Sequence, residues 1–551
     1  MALSRNKIPG TIFTLCLIVL AVSPCTFSHL FSNEPIRPEV RAIWVDAFHD
    51  GAKTPEQIDK LVADCLRANI NTIIVQVRRR GDAYYNQSFE PRTEDPNLTP
   101  GFDALQYLID LAHSHQLEVH AWLNTLVAWN NEKPPLSPNH IWNLHGPRAV
   151  GKDNWISYYR KYDRKNKRWS NQTYASYFLD PGNPAVVDYT TNVYLNVIKN
   201  YDIDGIHLDY TRYDGIGTGY NPVSVNRYNA CYGTKGLPHP NDPNWMQWRR
   251  DQITNLVRKI YIQAIAIKPN LKVSSAVITW GDAPVIDADW KKSQAYSVVG
   301  QDWIGWLKEG IIDIAFPMNY FYEWNPQRRL WFNRWIEWEK NHQYGRQIVI
   351  GPCAYSQYIE NTIEQIRRVQ APSQQGNYAA GVAIFAYGWN NLYSNDDYKH
   401  QARAKNLPRQ PHIYYPESND WIFELLSSPG SYRDPVLGIN INTNPVFPEP
   451  APIPEMPWKT RPTKGYIMGS VVHSGKKTND HLKITVESTD TNIPKLIRHT
   501  YTDGSGWYGF AEIPAGTYQV TVASKNYSGQ QVFSVNVLPG QVAEVNFIEG
   551  Q

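Results

Sequence analysis

Short apolar segments alternate with longer amphipathic stretches through residues 38–395, and this alternation constrains the fold more than any other feature. Such an alternation is typical of βα units built around a parallel sheet. In the first helical segment, Thr54 is suited to cap the helix, and Ile58 and Leu61 begin its apolar face. We predict strands at 40–45, 72–77, 118–123, 205–208, 272–277, 312–317, 347–351 and 381–386, with helices at 55–68, 102–115, 186–200, 248–267 and 301–309.

Eight strands of this kind favour an α/β fold of the (β/α)8 TIM-barrel type with extended loops. A doubly wound open sheet is the alternative, but no glycine-rich phosphate loop follows the first strand. Long connections follow the third strand (129–177) and the fourth strand (210–248). Loops of this length usually serve a substrate cleft, and barrel enzymes carry their active sites on this side.

After residue 395, the composition and the residue pattern of the chain change twice. Residues 396–463 read as a connecting region, because 444–462 contains seven prolines and should form an extended, semi-rigid spacer. From 464 to 551, short alternating strands separated by turns predict a small all-β sandwich. Its predicted strands are 466–472, 482–488, 518–523, 531–537 and 543–548.

The N-terminus has the organisation of a signal peptide over residues 1–28. Arg5 and Lys7 precede an apolar run at 11–22 that is too short to span a membrane. Pro24 fits poorly before the cysteine of a lipobox, so no lipid anchor is expected at Cys25. We therefore expect a secreted, periplasmic or cell-envelope protein without a stable membrane span.

Composition narrows the range of partners. The net charge is only +3, and 13% of the residues are aromatic. A charge this small predicts no nucleic-acid partner, whereas many aromatic rings suit the binding of sugars. Cys65, Cys231 and Cys353 have neither disulfide-framework nor zinc spacing, so free thiols and no metal or cofactor are expected.

The fourth predicted strand carries the strongest candidate for chemistry. His207 and Asp209 alternate with apolar neighbours, so both should face the barrel interior, with Asp209 at the carboxyl end where barrel enzymes place catalytic groups. A structural ion pair between Asp209 and Arg212 is the alternative interpretation. Asp209 is therefore predicted as a catalytic carboxylate.

Six ordered segments carry a resemblance to a known family. They are EVRAIWV at 39–45, VQVRRRGDAYY at 75–85, VHAWLN at 119–124, FLDPGN at 178–183, YDIDGIHLDY at 201–210 and IAFPMNY at 314–320. Together they resemble the bacterial glycosyl-hydrolase-like TIM-barrel family, whose members include a hydrolase of peptide-free peptidoglycan glycan strands. The resemblance covers residues 38–395 and implies a polysaccharide substrate.

Two positions depart from the family pattern. Tyr210 follows Asp209 where many relatives have a second acid, and Arg79 stands where proline is common. Separately, residues 502–518 resemble the carboxypeptidase-regulatory-like domain, which implies an accessory module without catalytic residues.

Glycoside hydrolysis usually requires two carboxyl groups, one protonated and one ionised. Asp209 is the candidate for the ionised group, and Glu323, Asp82 and Asp282 are candidates, in that order, for the acid. Residues 351–355 contain no carboxylate, so a retaining arrangement with glutamates on strands four and seven does not fit.

Polar and aromatic side chains near the strand ends are candidates for substrate binding, because sugar rings pack on aromatic faces. Arg78 and Arg80 could bind the lactyl carboxylates of muramic acid, or could instead pair with Asp82 or Glu90. The predicted substrate-binding residues are Arg78, Arg80, Trp122, Asn124, His207, Arg212, Trp280, Asn319, Tyr320 and Tyr387.

Two other classes of function remain open from the sequence. A non-catalytic glycan-binding or cell-wall scaffold protein is one, because the second carboxyl group is not assigned. A metal-dependent deacetylase is the other, with His207, Asp209, His49 and Asp46 as ligands. A serine hydrolase is disfavoured, since no Gly-x-Ser-x-Gly motif is present.

Overall fold

The computed structural model describes residues 36–131, 133–170, 173–395, 414–472, 479–491, 493–523 and 531–548. The predicted signal peptide lies outside the described residues, as do Cys16 and Cys25. No helix within these ranges is both long and apolar enough to cross a membrane.

Eight parallel strands close into a barrel in which each strand pairs with its neighbours in chain order. The ring closes where Val40 of the first strand pairs with Gly381 of the last. The predicted (β/α)8 fold is therefore confirmed. The strands are β1 (Val40–Val45), β2 (Thr72–Arg78), β3 (Glu118–Asn124), β4 (Gly205–Asp209), β5 (Lys272–Val277), β6 (Ile314–Asn319), β7 (Gln347–Pro352) and β8 (Gly381–Phe385).

The helices begin at residues that suit helix N-termini. The Oγ1 of Thr54 accepts a hydrogen bond from the Gln57 amide at 3.3 Å, which confirms the predicted cap. Four other helices begin with proline after asparagine or aspartate. Two of these helices, predicted at 186–200 and 248–267, therefore start earlier, at Pro184 and Pro243. The helices are α1 (Pro55–Arg67), α2 (Ala104–Ser114), α3 (Ile141–His145), α4 (Pro184–Asn200), α5 (Pro222–Tyr232), α6 (Pro243–Ile267), α7 (Gln294–Ser297), α8 (Trp303–Glu309), α9 (Pro326–Lys340), α10 (Ile359–Gln370), α11 (Trp421–Ser427) and α12 (Pro457–Thr460).

The two long connections fold into structure of their own beside the barrel mouth. After β3, the strand Ile156–Tyr159 pairs with Thr173–Leu179, and a small hairpin joins Tyr162–Asp163 to Arg168–Trp169. After β4, α5 packs near the start of α6 through a separate aromatic cluster. This cluster contains Tyr220, Tyr228, Trp245 and Trp248.

The proline-rich segment packs against the amino-terminal end of the barrel and does not hold two modules apart as a spacer. The Glu39 amide donates to the Pro452 carbonyl at 2.8 Å, and the Arg41 guanidinium donates to the Glu449 carbonyl at 2.5 Å. Met456 is buried against the inner barrel residues. An extended, proline-rich backbone leaves its carbonyls unpaired, and the strand starts supply the donors that they need.

The C-terminal residues form two facing sheets with a core of their own. One sheet contains, in order, Trp507–Pro514, Lys464–Val472 and Val542–Glu544, with Phe547–Ile548 also paired to Lys464–Val472. The other contains, in order, Ile497–Tyr501, Lys483–Ser488, Gly516–Ala523 and Gln531–Val537. The sequence did not predict the strand Ile497–Tyr501, which is largely exposed, or the strand Trp507–Pro514, which follows a turn-forming segment. The strands are β9 (Lys464–Val472), β10 (Lys483–Ser488), β11 (Ile497–Tyr501), β12 (Trp507–Pro514), β13 (Gly516–Ala523), β14 (Gln531–Val537), β15 (Val542–Glu544) and β16 (Phe547–Ile548).

The sandwich is fastened to the side of the barrel. Trp507 and Ala511 of β12 belong to the same hydrophobic cluster as the barrel helices. Lys259 of α6 pairs with Asp503 at 3.0 Å, and Arg346 pairs with Glu512 at 2.7 Å. The described residues from 37 onward accordingly form one compact unit.

Candidate active site at the carboxyl ends of the barrel strands

A cavity of about 610 Å³ opens at the carboxyl ends of the barrel strands. Parallel strands of a barrel bring their C-terminal residues to one mouth, which explains why residues distant in sequence meet here. Its lining residues are Trp44, Asp46, Phe48, His49, Gln76, Arg79, Trp122, Asn124, Val127, Asn130, Phe178, Asp209, Tyr210, Arg212, Ala276, Met318, Tyr320, Phe385 and Trp389.

Asp209 is the last residue of β4 and is 6% exposed in the cavity wall. Its Oδ1 accepts from the Tyr210 amide at 2.6 Å and from the Arg212 guanidinium at 3.3 Å. Burial raises the pKa of Asp209, and Arg212 and the Tyr210 amide oppose that rise only in part. The environment therefore makes Asp209 a weaker acid than a free aspartate, whereas the sequence predicts the ionised role for it.

Asp46 is the second carboxyl group in the cavity wall, and it directly follows β1. Its Oδ1 accepts from the Phe48 amide at 2.7 Å, the His49 amide at 3.0 Å and the His49 Nδ1 at 2.9 Å. The Asp46 carboxyl oxygen thus accepts from two backbone amides and contacts the His49 ring. Asp46 and Asp209 are the two carboxyl groups among the described residues that line the cavity.

His207 lies beneath the cavity and does not line it. The indole Nε1 of Trp44 donates to its Nε2 at 3.1 Å, so Nδ1 carries the proton and donates to the Ser274 hydroxyl at 2.9 Å. Burial lowers the pKa of His207 well below its usual value, which keeps the ring neutral. His207, predicted from the sequence to bind substrate, is a fully buried ring that holds Trp44 in place.

A row of amides crosses the first three strands at the cavity floor. The Oδ1 of Asn124 accepts from Gln76 Nε2 at 3.1 Å and from Trp122 Nε1 at 3.2 Å. The Oε1 of Gln76 accepts from the amide of Ala47 at 2.9 Å. These hydrogen bonds therefore extend from Asn124 to the residue that follows Asp46. Trp122 and Asn124 therefore occupy the predicted position in a rigid, hydrogen-bonded floor.

Comparison with known proteins fits this architecture. Residues 39–351 match the family model described as Glycosyl hydrolase-like 10. The chain belongs to this family. Residues 467–548 match the Carboxypeptidase regulatory-like domain.

Individual relatives match the barrel region. The chain is 27% identical over 304 residues to Glycosyl hydrolase YngK of Bacillus subtilis, covering 51% of this chain and 54% of the relative. It is 26% identical over 298 residues to Glycosyl hydrolase DigH of Escherichia coli, covering 52% of this chain and 62% of the relative. The matched region thus spans between half and two thirds of these relatives' length.

Among solved structures, the PgaB (BpsB) glycoside hydrolase domain of Bordetella bronchiseptica is similar at 16% identity and a TM-score of 0.43. The match covers 64% of this chain and 94% of that domain.

Within this Glycosyl hydrolase-like 10 member, three consecutive arginines have different positions. Arg78 is 1% exposed and binds Glu90 through two contacts of 2.6 and 2.8 Å, which is the ion-pair alternative that the sequence left open. Arg80 lies over the Trp129 ring and donates to Asn130, outside the cavity lining. Arg79, which the sequence analysis noted only as a departure, lines the cavity over the Phe48 ring at 3.7 Å.

The three acid candidates from the sequence lie outside the cavity lining. Glu323 is held by Arg368 at 2.5 Å and by Gln365 at 3.2 Å. Asp82 accepts from the Arg80 amide and the Thr93 hydroxyl and fixes the loop after β2. Asp282 pairs with Arg334 at an exposed position.

The remaining predicted ligands divide between the cavity and its surroundings. Tyr320 and Arg212 line the cavity and also a neighbouring depression of about 500 Å³ whose wall includes Trp280. Asn319 is fully buried and donates to Glu339 at 2.8 Å, and Tyr387 donates to Asp64 at 2.8 Å, so neither reaches the cavity. Trp280 therefore extends the cleft, whereas Asn319 and Tyr387 lie outside it.

The sequence contained a signal for Asp46. Like Asp209, it is an acidic residue at the carboxyl end of a barrel strand, but it was considered only as a metal ligand. No cluster of three or more ligating side chains suited to a metal ion occurs among the described residues.

Proposed function

We propose that the protein hydrolyses glycosidic bonds of a polysaccharide bound in the cavity, with Asp209 as general acid and Asp46 as general base. The observation that carries this proposal is the pair of carboxyl groups in one cavity with unlike environments. Both are buried, but burial raises the pKa of Asp209, whereas Asp46 accepts from two backbone amides and contacts the His49 ring. Environments that differ in this way are how two carboxyl groups take the roles of acid and base.

In the proposed reaction, the Asp209 carboxyl gives its proton to the oxygen of the glycosidic bond as that bond breaks. A water molecule adds its hydroxyl to the anomeric carbon, and Asp46 accepts the proton that this water loses. The Arg212 guanidinium, 3.3 Å from Asp209, stabilises the negative charge that Asp209 then carries.

The cavity wall suits a sugar chain. Trp44, Phe48, Phe178 and Trp389 supply ring faces, and Gln76 and Asn124 supply amides for hydroxyl groups. The Arg79 guanidinium lines the cavity, so it can donate hydrogen bonds to an anionic substituent.

For the substrate, we propose peptide-free peptidoglycan glycan strands, whose muramic acid carries a lactyl carboxylate that Arg79 could bind. The family resemblance and the position of Arg79 support this choice. Export directed by residues 1–28 would bring the enzyme to the cell envelope, where such strands occur.

The test measures new reducing ends released from peptide-free glycan strands and from neutral polysaccharides. We expect Asp209→Asn and Asp46→Asn each to lose at least about 100-fold in kcat, because general acid–base catalysis typically contributes that much. Asp282→Asn is the matched control, since that carboxyl group lies outside the cavity lining, and it should retain activity. If the wild type binds glycan but releases no reducing ends from any polymer, the protein is a glycan-binding module and the proposal is wrong.

A further inference from the structure

Residues 160–170 form a basic hairpin within the long connection after β3. It contains six cationic side chains and a single acid, whereas the whole chain has a net charge of only +3. The cations are Arg160, Lys161, Arg164, Lys165, Lys167 and Arg168. The small net charge of the whole chain does not reveal this local concentration of positive charge. Such a concentration produces a positive potential on one part of the surface.

The single acid of the basic hairpin, Asp163, forms hydrogen bonds within its own turn. The Asp163 carboxylate accepts from the Lys165 amide at 2.9 Å and from the Asn166 amide at 3.1 Å. Its other oxygen accepts from the Asn166 side chain at 2.7 Å. Asp163 therefore shapes the turn, and its carboxylate forms no ion pair with the cations around it.

The six cations have no acidic partner among the residues that the structure describes. Arg160 is the most enclosed and donates to two backbone carbonyls, those of Ser170 and Pro238. The other five are exposed. Like charges held together in this way repel one another, so an anionic ligand that approached them would be attracted by several charges at once.

Aromatic rings lie beside these cations. Tyr162, 43% exposed, pairs with Trp169 across the basic hairpin, with ring centres 5.4 Å apart. His239 approaches Trp169 from the next long connection at 6.1 Å. These rings and three of the cations, Arg160, Lys167 and Arg168, line an open depression of about 690 Å³. Ring faces next to cations suit a sugar that carries an anionic group.

A continuous strand links the basic hairpin to the cavity. Thr173–Leu179 pairs with Ile156–Tyr159 near the hairpin, and Phe178 at its far end lines the cavity. From Thr173 to Phe178 this strand covers about 17 Å, because a strand rises about 3.3 Å per residue. A polymer could therefore contact both sites at once.

We propose that the basic hairpin binds anionic groups of an acidic polysaccharide whose neighbouring sugar units occupy the cavity. This inference rests on the proposed function for the cavity and names the substrate class as an acidic glycan. The turn at 164–167 has no apolar side chain that could insert into a lipid surface, which argues against a membrane as the partner.

The test compares binding of carboxymethyl-dextran and of neutral dextran, which share one backbone, in the Asp209→Asn background where hydrolysis cannot interfere. A hairpin variant replaces Arg164, Lys165, Lys167 and Arg168 with Gln. A control variant replaces the exposed Lys199, Lys291, Lys308 and Lys495 with Gln, which removes the same charge elsewhere.

We expect the hairpin variant to bind carboxymethyl-dextran about tenfold or more weakly, with a smaller dependence on salt, and the control variant to bind normally. Tyr162→Ala, which keeps every charge, should also weaken binding. Equal binding by the hairpin variant, or equal affinity of the parent protein for neutral dextran, would overturn the proposal.

Tighter binding of the parent protein to phosphatidylglycerol vesicles or single-stranded DNA than to carboxymethyl-dextran would also overturn it. The outcome is separable from that of the hydrolysis assay. Hydrolysis of a short neutral oligosaccharide that fits the cavity should be unchanged in the hairpin variant with Asp209 intact. A failure of the proposed function would instead appear as no hydrolysis by the wild type, whatever the hairpin binds.

Discussion

At the scale of single residues, the arginines at 78, 79 and 80 show how an environment assigns roles to identical side chains. Arg78 is buried against Glu90, Arg79 faces the cavity, and Arg80 covers Trp129. The buried Arg78 guanidinium is compensated by the Glu90 carboxylate, whereas Arg79 lines the cavity and Arg80 lies outside its lining. Arg79 is consequently the arginine placed to contact a ligand.

The proposed general acid has a consequence for pH dependence. Arg212 lowers the pKa of Asp209, which burial raises. Arg212→Gln removes the lowering contribution, so Asp209 should keep its proton to higher pH. A general acid works only while protonated, and the alkaline limb of kcat/KM against pH should therefore move to higher pH in this variant.

The control for this experiment is Arg334→Gln, which removes a cation beside the exposed Asp282. Its pH profile should coincide with that of the wild type. An alkaline limb that stays in place or moves to lower pH in Arg212→Gln would contradict the assignment of Asp209 as the acid.

At the scale of elements, the barrel is built from local signals that agree with one another. Asparagine or aspartate followed by proline marks the starts of α4, α5, α6 and α9, and each cap side chain accepts a hydrogen bond from a backbone amide of the first turn. The helices are thereby fixed at their starts, immediately after the loops that build the mouth.

The cap of α1 gives a test at this scale. Thr54→Ala removes the acceptor for the Gln57 amide, and we expect the free energy of unfolding to fall by about 1 kcal/mol. Denaturation in urea, followed by circular dichroism, measures this change. Thr54→Ser keeps the hydroxyl and should remain close to the wild type, and an equal loss in both variants would show that the cap is not the cause.

At the scale of the whole molecule, one buried cluster joins the barrel, the connecting region and the sandwich. Asp313, before β6, accepts from Tyr261 at 3.0 Å and from Trp458 at 2.7 Å, and pairs with Lys459 at 3.0 Å. Tyr261 in turn contacts Tyr466 of the sandwich at 3.3 Å. The proline-rich segment is thus part of the folded unit.

Asp313→Ala should leave Lys459 buried without its counter-charge. We expect a loss of about 3–5 kcal/mol in the free energy of unfolding, because an uncompensated buried charge costs that much. Guanidinium denaturation measures the loss, and Asp289→Ala, which breaks the exposed pair with Lys292, should change stability little. If the two variants lose equal stability, this cluster does not join the parts of the molecule.

Local sequence patterns were sufficient for the barrel. The start of every predicted barrel strand agrees with the structure except that of β6, which begins at Ile314 and not at 312. The periodicity of apolar residues is a local property, and a parallel strand buried on both faces is apolar almost throughout. Asp209 was found for the same reason, since the end of a strand can be located from sequence alone.

Tertiary structure decided which polar residues share the cavity. Glu323 and Asp82 also follow barrel strands, yet partners from distant parts of the chain or from their own loop hold them away from it. The end of β1 marks Asp46 as a candidate, but only the folded loops place Asp46 and Arg79 together in the cavity wall.

The sequence by itself therefore determined the eight-stranded barrel, the sandwich and the position of Asp209, because each follows from local periodicity and strand ends. Only the tertiary structure decided that Asp46 is the other carboxyl group of the cavity, that His207 supports Trp44, and that the proline-rich segment closes the base of the barrel. These three features depend on contacts between residues far apart in the chain. Such contacts form because each buried polar group needs a hydrogen-bond partner.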